Sequence, residues 1–349
     1  MATRRQVLHQ LALGLGVVAC RGAVGQPADG ARYVGIETSA LTGHSRTSFF
    51  SDSGQRLAST PLDFRAHGMA QHRDSLIVFP RRPGNKMAVM DTTTLEVKSV
   101  VTAPAHRRFC GHGAFSRNGR YVLVTENDLN TLQGFVAVYD VAAGLSRTGS
   151  LALPGPGPHE ITRAPDSNRF VVALGGLETH PDYGRTPLNL SQFRSQLVGV
   201  DLDTGTLDPW GFWQGTEGVS LRHLAYDTRG RLYVGGQVAD PQRGTPEHVL
   251  WVIENGAVTQ IPAGAMLGGY VSSVACHGPR AMVTSKAAHL ALTLDGAQPL
   301  DITQQIGASA VAGHDQGHAL SGFDTLQIAG ARHDVLPDHE FDNHGIFLI

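Results

Sequence analysis

His112-Gly113-Ala114-Phe115, then Tyr121-Val122-Leu123-Val124, then Phe135-Val136-Ala137-Val138-Tyr139-Asp140: this stretch sets out the repeating unit of the chain. A small-residue turn leads into a first strand, an apolar second strand follows, and a third strand closes on Asp. The turn Arg117-Asn118-Gly119 separates the first two. The same grammar precedes it as His67-Gly68-Met69-Ala70, Leu76-Ile77-Val78-Phe79 and Met87 to Asp91. It follows as His159-Glu160-Ile161-Thr162, Phe170 to Leu174 and Leu197 to Asp201, and again as His223-Leu224-Ala225-Tyr226, Leu232-Tyr233-Val234 and Val249 to Ile253. Ser273-Val274-Ala275 opens a fifth unit, and Ala308-Ser309-Ala310-Val311 a degenerate sixth.

The histidine spacings are 45, 47 and 64 residues, and His223 to Ser273 is 50. The long third interval contains an insertion between about Glu178 and Ser195. Periods of about 40 to 50 residues with four short strands each mark propeller blades. A single blade cannot bury both of its faces, so the units must stack around an axis. The expected fold is therefore an all-β propeller over residues 31–349. The count is seven blades, within a range of six to eight. Residues 32–62 carry about three strands but no innermost strand of the His-Gly kind. The final Gly345–Ile349 segment is expected to complete a blade, so that N- and C-terminal strands pair and remove exposed edges.

Composition agrees. The 349 residues include 42 glycines, only 17% are charged, and the formal net charge is -2. No basic stripe of the kind that neutralises phosphates is present, which argues against nucleic acid. Thr3-Arg4-Arg5-Gln6-Val7-Leu8 resembles a twin-arginine export signal, and a short apolar stretch, Leu11 to Ala19, follows. That stretch falls short of the about 20 residues of a permanent span. Residues 1–25 are thus expected to be a signal segment directing a folded protein to the periplasm. Val17-Val18-Ala19-Cys20 resembles a lipobox, so a membrane anchor is expected only if Cys20 is acylated. Cleavage after Ala23-Val24-Gly25 is the alternative. Cys110 and Cys276 fall in different units and are expected to be free thiols.

Seventeen histidines stand out. His67, His112, His159 and His223 each occupy the head of an innermost strand, which lines the channel. Four imidazoles at one height would converge on the axis, and neutral imidazole suits a transition metal, with Fe or Cu favoured. The competing reading has each histidine only tying its inter-blade loop, as WD-repeat propellers use a Gly-His pair. Arg82, Glu126, Glu178 and His180 lie at strand ends of the same face and are candidate companions. Glu160 is a candidate to hold the rings, and Arg222 to pair with an anion. The insertion is a candidate lid over the channel mouth.

Several segments also resemble a family. They are Phe64-Arg65-Ala66-His67-Gly68, Arg81-Arg82-Pro83-Gly84, Gly111 to Ser116, Thr125 to Asp128, Gly157-Pro158-His159-Glu160 and Gly175 to Asp182. Leu188-Asn189-Leu190, Arg222 to Ala225, Tyr270-Val271 and Asp342-Asn343-His344 complete the set. Together they resemble domain-of-unknown-function family 1513, exported bacterial propellers. Cys110 stands where an aromatic residue is usual. The resemblance implies a role in periplasmic iron handling beside imelysin-like lipoproteins and di-haem peroxidase-like proteins as partners. Three functions stay open: metal binding at the histidine mouth, a docking platform for those partners, and a metal-dependent hydrolase of lactonase type. No Gly-x-Ser-x-Gly, phosphate-loop, His-Glu-x-x-His or Cys-x-x-Cys motif supports an enzyme.

Overall fold

The computed structural model describes residues 31–184, 186–208, 215–314, 317–328, 331–334 and 338–348. The expected signal segment and Cys20 lie outside them. Seven four-stranded antiparallel sheets form a ring, so the all-β propeller and its seven blades are as the repeats predicted. We number the blades along the chain. Blade 1 combines three strands of residues 31–61 with the strand His339–Phe347; blades 2 to 7 span 66–102, 107–152, 158–208, 219–261, 273–304 and 311–334. The innermost strands are His339–Phe347, Ala66–His72, Arg107–Phe115, Pro158–Arg163, Val219–Tyr226, Ser273–His277 and Val311–His314. Each touches the next around the axis. Helix among the described residues amounts to the short 3₁₀ turns Pro181–Tyr183 and Pro241–Arg243, and none is long and apolar enough to cross a membrane.

Burial explains the residue choice within a blade. The second strands are sandwiched between neighbouring blades, so Leu76, Ile77, Val78 and Phe79 are all buried, as are Phe170 to Leu174. A strand buried on both faces reads as an unbroken apolar run, not as an alternation. Alternation belongs instead to outer strands such as Ser146–Ala152, and the outermost strand Val97–Thr102 is exposed along almost its whole length. The Asp that ends the third strand has a local job. The Asp91 carboxylate accepts from the Thr93 and Thr94 amides at 2.7 and 3.0 Å, and Asp201 does the same for Asp203 and Thr204. These side chains close the turn to the outermost strand.

The closing strand differs from the expectation in its start. It begins at His339, not Gly345, and pairs antiparallel with Ala31–Ser39, with Tyr33 opposite Phe347 and Glu37 opposite Phe341. Asp342-Asn343-His344 reads as turn-forming by composition. Here a bulge absorbs those polar residues, since the register jumps between Gly345 and Phe341.

Candidate functional site

The same device recurs in four further blades. The innermost strands of blades 2, 3, 4 and 5 also break register against their neighbours: between Ala66 and Met69, Phe109 and Gly113, Pro158 and Ile161, and Leu221 and His223. A histidine sits at each break: His67, His112, His159, His223 and, in blade 1, His344. A bulge adds local twist and re-aims a side chain. His67 and His159 thus stand one residue from the heads of their strands, as expected to within a residue, whereas His112, His223 and His344 lie well inside theirs.

All five rings meet. Centroids are 5.0 Å apart for His67–His112, 4.7 Å for His112–His159, 5.0 Å for His159–His223, 5.1 Å for His223–His344 and 4.8 Å for His67–His344. His112 sits 4.7 Å from His344 across the group. Such close approach depends on glycine. A Cβ on Gly68 would stand 2.3 Å from the Gly111 carbonyl oxygen and 3.2 Å from His112 Nδ1. Gly111 has φ +106°, and its Cβ would meet the His67 ring at 2.8 Å. Gly68 and Gly111 are thus a space requirement of the His67–His112 contact.

Hydrogen bonds orient the rings. His67 Nδ1 donates to Asp342 Oδ1 at 2.6 Å, His223 Nδ1 to Glu160 Oε2 at 3.0 Å, and His159 Nδ1 to the Arg222 carbonyl at 3.1 Å. Each bond links neighbouring innermost strands, so the rings do tie blades together. Their inward edges remain. His112 Nε2 and His344 Nε2 are buried without a hydrogen-bond partner, an arrangement that costs free energy unless something binds there. Burial, reinforced by neighbouring imidazoles and by Arg82 or Arg222, pulls His112, His159 and His223 well below the usual imidazole pKa. His344 falls to about 3 for the same leading reason. These rings are neutral, with lone pairs available. Burial lifts the Glu160 carboxyl to about 7, whereas His67 and Arg81 outweigh burial and hold Asp342 well below the carboxylate range.

Ligand atoms of His67, His112 and His159 lie within 4.8 Å of one another, as do those of His112, His223 and His344. The two triads share His112. Zinc–imidazole bonds of about 2.0–2.1 Å put ligand nitrogens up to about 4.2 Å apart across an ion. Closing on an ion therefore requires the outermost of these nitrogens, up to 4.8 Å apart, to draw in by about 0.6 Å for opposite ligands and by more for tetrahedral ones.

The companions divide. Glu160 stands at the cluster, 4.0 Å from His112 as well as bonded to His223. Arg82 and Arg222 line a small cavity whose floor is His67, His159 and His223. His180 and Pro181 lie in the insertion, beside that cavity, and share a separate crevice with Arg82 and Cys110. Glu126 is directed elsewhere: it accepts from the Tyr139 hydroxyl at 2.8 Å and from Arg147 at 3.0 Å inside blade 3. Glu178 holds its loop through backbone bonds to Asn189 and Leu188. Cys110 and Cys276 are free thiols. Sequence reasoning missed His344 and Asp342; the signal available was the Asp342-Asn343-His344 segment carrying the family resemblance.

The family model described as "Protein of unknown function (DUF1513)" matches residues 60–348. The chain belongs to this family. The match covers blades 2 to 7 and the closing strand, and with it all five histidines. No curated protein matches the chain. Among solved structures, the Kuenenia stuttgartiensis hydrazine synthase is similar over 90% of this chain and 98% of its own, at 13% identity and a TM-score of 0.63. A Bacteroides caccae protein of unknown function is similar over 91% and 99%, at 8% identity and TM-score 0.54. A chain of a nidogen/laminin complex is similar over 79% and 94%, at 10% identity and TM-score 0.53. At such identities the likeness is one of fold.

Proposed function

We propose that this family member binds one transition metal ion, Fe or Cu, in the five-histidine cluster, and does so in the periplasm as part of iron acquisition. The observation that carries the metal reading is the pair of buried, partnerless Nε2 atoms on His112 and His344. They sit amid three further rings whose Nδ1 atoms are anchored on Asp342, Glu160 and the Arg222 carbonyl. Outer acceptors of this kind set the tautomer and strengthen a metal-binding imidazole. Neutral nitrogen donors suit borderline metals rather than calcium. The periplasmic address rests on the twin-arginine-like segment, a route for cargo folded before export. The link to iron rests on the family resemblance.

Elemental analysis of untagged protein tests the reading and is expected to find near-stoichiometric metal. The double variant His112→Ala/His344→Ala should keep its β circular dichroism and bind metal more than about 100-fold more weakly, beyond what changes to outer acceptors produce. Undiminished affinity in that variant defeats the proposal.

A docking platform for the imelysin-like or haem partners draws support from blade 6. Leu300 and Ile302 share one face of its outermost strand and are 48% and 46% exposed, with Ile306 at 67% beyond it. Co-purification of such a partner, lost in Leu300→Glu/Ile302→Glu, is the expected outcome.

A further inference from the structure

The imidazole cluster divides the interior into two unlike spaces. On one side runs the central channel, about 530 Å³, lined by His112, Glu160 and His344 and by apolar groups such as Ile161, Leu224 and Val311. On the other is a chamber of about 30 Å³ over His67, His159 and His223, walled by Arg81, Arg82, Arg222, Gln237, Tyr270 and Asn343. Three guanidinium groups face this chamber. The Asp342 carboxylate nearby is already shared between His67 at 2.6 Å and Arg81 at 3.5 Å. Arg82 has no hydrogen bond or ion pair among the described residues. The Tyr270 hydroxyl accepts from Asn343 Nδ2 at 2.8 Å, which leaves its own proton to be donated. A bridge between Gln237 and Tyr270 fixes that wall.

We propose that this chamber binds a small carboxylate or inorganic oxyanion, held by Arg82 and Tyr270, as a co-ligand of the metal beneath it. The inference rests on the metal reading for what the anion meets at the floor, but the chamber's donors call for an anion on their own account. A guanidinium sheltered from water without a counter-charge is costly, and planar N–H forks match carboxylate geometry. A cation held by neutral imidazoles also carries its full charge into a low-dielectric interior, which an adjacent anion offsets. Volume limits the guest. A water needs about 10–15 Å³ measured this way, so the chamber takes two or three non-hydrogen atoms, the size of formate.

The test loads the full protein with Co(II), whose visible absorption reports its coordination, and titrates formate or nitrite, each of about three non-hydrogen atoms, with formamide as the neutral control. Formate is expected to alter the Co(II) spectrum and to raise Co(II) affinity by a factor within about 5–150. Arg82→Gln and Tyr270→Phe should each abolish that gain, and formamide should have no effect. An equal gain in both variants, an equal gain from formamide, or no response to either anion overturns the proposal. If Co(II) does not bind at all, the metal reading fails separately. The anion site is then read in the metal-free protein as formate-dependent thermal protection that Arg82→Gln removes; no protection there overturns it too.

Discussion

Blades 1 to 5 and blades 6 and 7 use the same four-stranded sheet to opposite ends. In the first five the innermost strand breaks register and sends an imidazole to the axis. In blades 6 and 7 the innermost strands start at Ser273 and Val311 and pair without a break. Two of their buried hydroxyls find partners close at hand: Thr284 Oγ1 donates to the Ser309 carbonyl at 2.8 Å and Ser285 Oγ to the Leu267 carbonyl at 2.7 Å, although His318 Nε2 and His333 Nε2 of blade 7 are buried without a partner. The regular blades spend their polar groups on holding the ring. The bulged blades give up ladder bonds to bring five imidazoles together, a departure from local consistency of the kind that marks function.

Acid should expose this contrast most strongly. Burial holds the rings of His112, His159, His223 and His344 below the ordinary imidazole pKa of about 6.5 in the folded state. Below that value the unfolded chain binds more protons, so stability falls as pH falls. The groups facing the cluster are Glu160 and Asp342 on the acidic side and Arg82 and Arg222 on the basic side. Metal-free protein should lose about 1.4 kcal/mol per pH unit for each ring still uncharged, less an opposing gain of similar slope from Glu160, whose carboxyl, raised to about 7 by burial, takes up its proton first in the folded state. Urea midpoints from pH 7 to 5 would show it, and the metal-loaded protein should fall less because bound rings resist protonation. A midpoint independent of pH would place the rings in water rather than in the core. Next in size, Asp342→Ala removes the acceptor of His67 and should weaken metal binding by about 10- to 100-fold, measured by competition with a chromophoric chelator. Gly68→Ala forces the bulge of blade 2 against the Gly111 carbonyl and should cost about 1–3 kcal/mol in denaturant titration. The smallest effect belongs to the regular blades: Thr284→Val should cost about 1 kcal/mol and leave metal affinity unchanged. A loss of metal affinity there would erase the division between the two kinds of blade.

The ring was legible because the repeat is written in residues that burial dictates, such as the apolar run Leu76 to Phe79 and the turn-closing Asp91. Four of the five rings were legible for the same reason, since His67, His112, His159 and His223 recur at the repeat period. His344 was not. It lies in the strand that closes blade 1 from the far end of the chain, outside the periodic count, and its neighbours Asp342 and Asn343 look like a turn until a bulge accommodates them. Glu126 misled in the opposite sense: its position after a second strand matched that of Arg82, but Tyr139 and Arg147 claim its carboxylate. Pairing of that sort is set by contacts across the blade that no local pattern announces. Glu160 could be placed because it adjoins His159 in sequence.

The order of synthesis gives the closing strand a further consequence. His67, His112, His159 and His223 leave the ribosome long before Asp342 and His344, and His67 waits for an acceptor 275 residues away. Until that last strand docks, the half-built centre has neither its fifth nitrogen nor the carboxylate that fixes its first ring. A firmly held ion would therefore certify a completed circle, and a truncated or unclosed molecule would let it go.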